Sequence, residues 1–323
     1  MTAKRVAAIA IAAVLIVAAL LIRNGLDDDS SSATNGTDKP SSGTITVICS
    51  TEFKAVCDEL DSKKFTTKTE PAGTTLDDLA KAGADAPDAW ITLDPFPGMV
   101  DDTRQRDNIE PLAPTVVAVA IDAPLLAIAT QKATAFERGC AGGAAWHCLG
   151  GAAGGPWDEL LAGEAGTVKV GIANPATEAQ GLLTFGTAVA GYFGDTTFSS
   201  NSFTDDSKFI PWMRTLSQRS GVSVDRPPLA TLITQPTAVN VAATTLSEAD
   251  ASPQQTTFKT VAIEPAFQNI AVVATFGDRA NDVVSIAKSA LTASGWVAAS
   301  DAKPQLPAGT FIALRKLWKD YNK

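Results

Sequence analysis

The chain has 323 residues, of which 45% are apolar and 19% charged, a balance typical of one large or two medium folded domains and not of a disordered chain. A formal net charge of −9 argues against nucleic acid as a partner. The single histidine, His147, argues against Ser–His–Asp hydrolases and histidine-based zinc sites, so we expect a protein that is not an enzyme and that carries no metal or cofactor.

An unbroken apolar run, Val6–Ile22, follows a basic pair at the N-terminus. At about 1.5 Å per residue it reaches roughly 25 Å, close to the ~30 Å hydrocarbon core of a bilayer. A cleaved signal peptide is the alternative, but no small-x-small cleavage site follows the run and no cysteine ends it for lipid attachment. We therefore predict a cell-membrane anchor over 1–23, a flexible linker over 24–43, and a body on the extracytoplasmic side.

The body alternates strand and helix signals. Thr44–Ile48 is β-branched and continuous, which predicts a buried strand, and Glu52–Leu60 carries its apolar residues on one helical stripe. The alternation continues with a strand at Lys68–Glu70, a helix at Thr75–Lys81 with Thr75 as its N-cap, and a strand at Asp88–Leu93. This order predicts a parallel sheet covered on both faces.

Two long β-branched stretches are each interrupted by proline. Thr115–Thr130 is broken at Asp122–Pro124, and Phe258–Phe276 is broken at Glu264–Pro265. Each stretch predicts two strands that meet at a kink, and the two kinks predict the hinge between two lobes. A last helix follows at Asp282–Ser294. The predicted body consists of a first lobe over 44–118, a second lobe over 119–261, and a return to the first lobe with a C-terminal helix over 262–323.

The four cysteines fall into two pairs, each separated by eight residues. Cys49 pairs with Cys57 and Cys140 with Cys148 if proximity decides, although four cysteines allow three pairings. Neither spacing forms a redox or zinc motif. An even number of cysteines in a body outside the cytoplasm indicates structural disulfides.

The most specific passage is Val168–Gly194, VKVGIANPATEAQGLLTFGTAVAGYFG, in which a strand leads through Asn174–Pro175 into a helix. It resembles the second-lobe strand–loop–helix of ABC-transporter solute-binding proteins of the type II periplasmic-binding fold, especially the molybdate-binding-like branch. The segment Leu232–Pro236 resembles the family as well. The resemblance implies an α/β, two-lobed clamp with two hinge crossovers, a small-molecule solute bound between the lobes, and a membrane permease as partner.

The family places ligand contacts on loops at the carboxyl ends of strands, and the general rule for open α/β sheets points to the same places. The positions of this sequence that match are Ser50, Thr51, Asp94, Thr177, Glu178, Gln180, Gln235 and Thr237.

Several of these residues have a structural alternative. Thr177 and Gln180 have the spacing of a helix capping box, and Ser50 or Thr51 is suited to cap the first helix. Asp94 stands before a proline, as turn residues do. Helix-start amides near Thr177 are suited to bind an anion without special side chains.

The ligand class follows from charge. Glu178 and Asp94 would repel an anion, and no arginine stands in the candidate loops to compensate. An oxyanion ligand is therefore not carried over from the family, and a neutral polar or cationic solute stays open. The predicted function is capture of a small polar solute for an ABC importer. The alternative is an envelope protein-interaction module with a degenerate cleft.

Overall fold

The computed structural model describes residues 44–61, 65–140, 145–219, 226–277, 280–303 and 305–322. The predicted anchor and linker therefore lie outside the described residues. Within the described part, no helix combines the length and apolar character needed to span a bilayer. The strands, in chain order, are β1 Ile45–Ser50, β2 Phe65–Glu70, β3 Ala89–Leu93, β4 Thr115–Asp122, β5 Pro124–Ala129, β6 Val170–Gly171, β7 Val241–Thr245, β8 Phe258–Ala262, β9 Asn269–Thr275 and β10 Val297–Ala298.

The helices lie between the strands and after them. In chain order they are α1 Lys54–Leu60, α2 Ala72–Leu79, α3 Phe96–Arg106, α4 Ala133–Gly139, α5 Ala145–Ala152, α6 Ala179–Phe193, α7 Ser202–Asp205, α8 Phe209–Arg219, α9 Pro228–Thr234, α10 Leu246–Ala251, α11 Asn281–Ala293 and α12 Ala308–Tyr321. A 3₁₀ turn, Thr51–Phe53, links β1 directly to α1.

The first sheet has six strands in the order β10-β4-β9-β3-β1-β2. β1 pairs with β2 and β3 in parallel, as the strand–helix alternation predicts. β9 runs antiparallel to both β3 and β4, so the six-stranded sheet as a whole is mixed. The reason is that β9 enters from the second sheet and runs in the direction opposite to β3.

The second sheet has four strands in the order β6-β7-β5-β8 and is also mixed. β6 and β7 are parallel, whereas β5 is antiparallel to β7 and β8. The chain passes from the first sheet to the second at Ala123 and returns through residues 263–268. Both predicted interruptions lie at these crossovers, so the proline-broken stretches mark the passages between the sheets.

The central strands are fully buried because their sequences are continuously apolar. β3 (AWITL) and β9 (NIAVVAT) are buried at every position. Helix α6 is buried along most of its length, and its glycines allow close packing. A Cβ on Gly191 would lie 2.7 Å from the Trp146 Cβ atom, so glycine is required for α5 and α6 to approach. This close packing joins α5 to α6.

One predicted helix start is wrong. Helix α2 begins at Ala72 after Pro71, not at Thr75. Thr75 lies inside the helix, where its buried hydroxyl donates a 2.9 Å hydrogen bond to Glu70. The hydroxyl is satisfied by the end of β2 and is not needed as a cap.

Both predicted disulfides are present. The Cys49–Cys57 bond ties the end of β1 to α1, and the Cys140–Cys148 bond ties the end of α4 to α5. The first is buried and the second is partly buried. Each bond closes a short local loop and stabilises the helix that it joins.

Candidate functional site

A cavity of about 780 Å³ opens between the two sheets. It lies at the carboxyl ends of β1 and β3 on one side and of β6 and β7 on the other. Its walls therefore come from both sheets; the first sheet's side includes Thr51, Glu52, Leu93, Asn269 and Trp296, and the second sheet's side includes Asn174, Glu178, Gln180, Thr245 and Glu248. Part of α12 completes the lining.

Three glutamates, Glu52, Glu178 and Glu248, line this cavity, and we call them the glutamate cluster. The Gln180 backbone N–H donates a 2.8 Å hydrogen bond to Glu52 Oε1, and the Thr244 hydroxyl donates a 2.7 Å hydrogen bond to Glu248 Oε2. The Thr51 hydroxyl donates to Glu178 and lies 3.4 Å from Glu52 Oε2. Because Glu52 follows β1 while the other two glutamates follow β6 and β7, the cluster bridges the cavity.

Glu52 occupies the N-terminus of α6. The helix begins at Ala179, and its N-cap residue, Glu178, makes no side-chain capping bond. The predicted capping box between Thr177 and Gln180 is therefore wrong, because the Gln180 N–H is taken by Glu52 from across the cavity. Helix N-termini attract negative charge, and here a carboxylate of the same chain supplies it.

Burial disfavours the charged form of two members of the cluster. Burial raises the pKa of Glu52, and the charge of Glu178 raises it further, while the Gln180 N–H opposes the shift. Burial also raises the pKa of Glu248, with an added contribution from Asp122. Among the residues that the structure describes, no lysine or arginine forms an ion pair with any of the three glutamates.

A second polar group lies beside the cavity, and we call it the arginine clamp: Arg315, Asp77 and the carbonyls of Gly73 and Ala176. The buried Arg315 guanidinium donates to Asp77 at 2.6 and 2.9 Å, to Ala176 O at 2.8 Å and to Gly73 O at 3.0 Å. Partial burial opposes ionisation of Asp77, but the Arg315 hydrogen bonds and charge outweigh it and lower the pKa of this carboxyl. The clamp joins α2 and α12 to the loop before α6.

Cations also stand at the cavity margin. Arg226 is exposed, and Lys319 on α12 is half-exposed with its Nζ 3.4 Å from Asp77. Within the described ranges, no group of three or more His, Cys, Asp or Glu side chains is arranged to hold a metal ion. The cavity therefore has an acidic interior and a basic margin.

Comparison with known proteins gives a fold. No family model and no curated protein matches the sequence. Among solved structures, the periplasmic binding protein AfuA from Actinobacillus pleuropneumoniae, with fructose-6-phosphate bound, matches at 13% identity and a TM-score of 0.54 over 87% of this chain and 98% of its own. A periplasmic thiamin binding protein matches at 10% identity and a TM-score of 0.54 over 90% of this chain and 100% of its own.

A putative spermidine/putrescine ABC transporter protein from Listeria monocytogenes matches at 10% identity and a TM-score of 0.52, over 87% of this chain and 89% of its own. The chain has the type II periplasmic binding-protein fold. The three matched structures are named as a periplasmic binding protein, a thiamin binding protein and a putative polyamine ABC transporter protein. At 10–13% identity the likeness establishes the fold and leaves the ligand open.

Within the periplasmic binding-protein fold, three predicted contact residues line the cavity: Thr51, Glu178 and Gln180. Ser50 does not, because it is fully buried and its hydroxyl donates a 2.8 Å hydrogen bond to Thr92. Asp94 also stays out of the lining. Its backbone N–H donates to Ile270 O at 2.9 Å, and burial raises the pKa of its carboxyl.

The remaining predicted residues point to other surroundings. Thr177 O accepts a 2.8 Å hydrogen bond from the Gly73 N–H, beside the arginine clamp. Gln235 and Thr237 are exposed in the turn after α9, where the Thr237 carbonyl accepts a hydrogen bond from Lys169. None of the three belongs to the cavity lining.

Sequence reasoning missed Glu52, Glu248 and Trp296. Glu52 was not predicted as a cavity residue, because an acidic residue in the first turn of a helix is common without any binding role. Glu248 lies three residues beyond the carboxyl end of β7, a position that the open α/β rule covers once Val241–Thr245 is identified as a strand. Trp296 follows α11 and reaches the cavity only through the tertiary fold.

Proposed function

We propose that this chain is an extracytoplasmic solute-binding protein that captures a small polar solute between its lobes for an ABC importer. The observation that carries the proposal is the cavity of about 780 Å³ lined from both sheets in a periplasmic binding-protein fold. This volume suits a small molecule. A solute that contacts both walls at once favours the closed form over an open one.

The crossovers supply the means of closure. The two sheets are linked at Ala123 and through residues 263–268, so a rotation about these segments widens the cavity without disturbing either sheet. The hydrogen bonds from Gln180 to Glu52 and from Thr51 to Glu178 cross the cavity and belong to the closed form.

The proposal extends to the membrane. The apolar run within 1–23 anchors the protein, and the two disulfides suit an oxidising compartment outside the cytoplasm. A membrane permease is the proposed partner. Carbonate extraction of membranes from expressing cells tests the anchor, since retention in the membrane pellet supports it and release into the supernatant contradicts it.

Thermal unfolding of the full-length chain tests solute capture. The panel contains oxyanions, amino acids, polyamines, thiamin and sugars. A solute at about a hundred times its dissociation constant stabilises by about 2.7 kcal/mol, which raises the unfolding midpoint by a few degrees. Thr51→Ala should lose the shift, whereas the matched control Thr237→Ala, on an exposed turn away from the cavity, should keep it. The absence of any shift across the panel would refute solute capture and favour a protein-interaction module.

A further inference from the structure

The charges inside the cavity are unbalanced. Glu52, Glu178 and Glu248 line it, and no described cation pairs with any of them. All three are half-buried, and a carboxylate partly withdrawn from water is ordinarily paired or coordinated, because desolvating an unpaired charge is unfavourable. The cluster therefore has the charge of a site whose positive partner enters from outside.

An anionic solute meets an obstacle at the place where the fold would seat it. The exposed amide at the start of α6 is already bonded to Glu52, at 2.8 Å from Gln180 N. An anion at this amide would have to displace the Glu52 carboxylate. The Glu52 carboxylate therefore occupies this amide at the start of α6 and adds a negative charge to the cavity wall.

The positive groups of the cavity are placed at its margin and do not neutralise the interior. Arg226 is exposed, and Lys319 lies nearest to Asp77, which is also held by Arg315. A half-exposed indole, Trp296, lines the cavity and packs against Phe53 with ring centroids 5.6 Å apart. Aromatic rings attract cations placed over their faces, so the indole adds to the preference that the glutamates create.

We infer that the cavity recognises a solute bearing a protonated amine or guanidinium group, which the glutamate cluster holds across the cleft. The inference rests on the proposed function. The fold and the cavity support solute binding, and the residues that line the cavity indicate only which class of solute is bound. Charge-assisted hydrogen bonds from N–H groups to Glu52 and Glu178 would tie the two walls together. The cation thereby completes the closed form.

Isothermal titration of the full-length chain tests the inference. The probes are putrescine, spermidine and L-arginine on one side, and phosphate, sulfate, glucose and calcium chloride on the other. At least one of the amine or guanidinium probes should bind. Glu52→Gln, Glu178→Gln and Glu248→Gln should each lower its affinity by about tenfold or more, the usual effect of losing a hydrogen bond to a charged group.

The matched control is Glu59→Gln, an exposed glutamate of α1 that lies outside the cavity lining and should leave the affinity unchanged. The unfolding midpoint of each variant is measured alongside, so that a loss of binding is separated from a loss of folding. If Glu52→Gln fails to fold, Glu178→Gln, at the N-cap of α6, carries the test.

The outcomes distinguish this inference from the proposed function. Amine or guanidinium binding that all three glutamine variants leave intact overturns the assignment of the cluster. Binding confined to phosphate, sulfate, glucose or calcium overturns the ligand class and leaves solute capture standing. Binding of no probe in this panel or in the wider thermal panel overturns both.

Discussion

The glutamate cluster and the arginine clamp lie on either side of the same segment, residues 174–180, and they differ in whether their carboxylates have a cationic partner. In the clamp, Asp77 receives two hydrogen bonds from a buried guanidinium. In the cluster, Glu52 and Glu248 receive hydrogen bonds only from neutral groups. The chain therefore pairs the clamp carboxylate with its own cation and leaves the cluster carboxylates without one, at the place where we propose that a solute binds.

Close backbone approach distinguishes the clamp from the glutamate cluster. The Gly73 N–H donates to Thr177 O at 2.8 Å, and a Cβ added to Gly73 would lie 2.4 Å from Ala176 O. Among the described residues that line the cavity, each hydrogen bond between Glu52 or Thr51 and the opposite wall involves a side chain: Glu52 accepts from the Gln180 backbone N–H, and the Thr51 hydroxyl donates to Glu178. Side-chain contacts break and re-form more readily when a lobe rotates.

Arg315→Met should have the largest effect. It leaves Gly73 O, Ala176 O and the half-exposed Asp77 without their partner, and we expect a loss of about 3 kcal/mol in the free energy of unfolding. Urea denaturation measures the loss. Lys316→Met is the control on the same helix, since its side chain is 75% exposed and its removal should cost under about 0.5 kcal/mol. Equal losses in the two variants would show that the clamp is not a special contact.

Gly73→Ala should have the next largest effect on the free energy of unfolding. The added methyl group collides with Ala176 O, so α2 has to move away from the segment before α6, at a cost of about 1–3 kcal/mol. Gly98→Ala in α3 is the control, because its Cβ would lie 3.5 Å from Ala308 Cβ, an ordinary contact, and alanine favours helix. Urea denaturation should show stabilisation or no change for this control. A neutral Gly73→Ala would mean that the close approach is not required.

The two groups should respond to pH with opposite signs. Asp77 has a lowered pKa in the folded chain, so it contributes stability above its ordinary pKa that is lost as pH falls through the folded value. Glu52 and Glu248 have raised pKa values, so their ionisation lowers stability as pH rises through the folded values.

Relative to the parent chain, Asp77→Asn should therefore lose stability at neutral pH and Glu52→Gln should gain it, and both differences should shrink in acid. Unfolding free energies between about pH 3 and 8 measure this, with Glu59→Gln as the flat control. Differences of the same sign would contradict the comparison.

Lys319→Gln should have the smallest effect. It removes one positive charge from the cavity margin and should raise the affinity for an amine probe by about two- to threefold, a gain that 1 M salt abolishes. Titration of putrescine at low and high salt measures the change. Lys316→Gln lies outside the cavity lining and should leave the affinity as it is. A fall in affinity for Lys319→Gln would mean that the lysine helps to hold the solute.

The sequence predicted those parts of the fold that depend on local patterns. Periodicity, proline positions and cysteine spacing are local signals. They predicted the alternation from β1 to β3, the crossovers and the two disulfides. The antiparallel direction of β9 could not be predicted from local patterns, because it depends on the route by which the chain returns from the second sheet. The short β6, Val170–Gly171, is likewise less than the run VKVGIA predicts.

The site was predicted only in part, for reasons of orientation and pairing. The carboxyl-end rule selected both Ser50 and Thr51, but only one of two neighbouring residues faces the cavity, and Ser50 points to Thr92 inside the sheet. The sequence does not distinguish Glu52 and Glu248 from other glutamates, because whether a carboxylate lacks a cationic partner depends on its surroundings in the folded chain. Gln180 was predicted as a ligand contact and lines the cavity, but its alternative role in a capping box is wrong, because Glu52 accepts the hydrogen bond from its backbone N–H.

The hydroxyl of Thr51 has a single hydrogen, and it stands between the carboxylates of Glu52 and Glu178. An ionised carboxylate only accepts, and each offers about four lone-pair sites. Thr51, Thr244 and Gln180 supply hydrogens to only some of the sites on the three glutamates. If the cluster holds an amine as we infer, the solute is selected for the hydrogens that it brings as well as for its charge, and we expect a primary amine to bind in preference to its fully methylated counterpart.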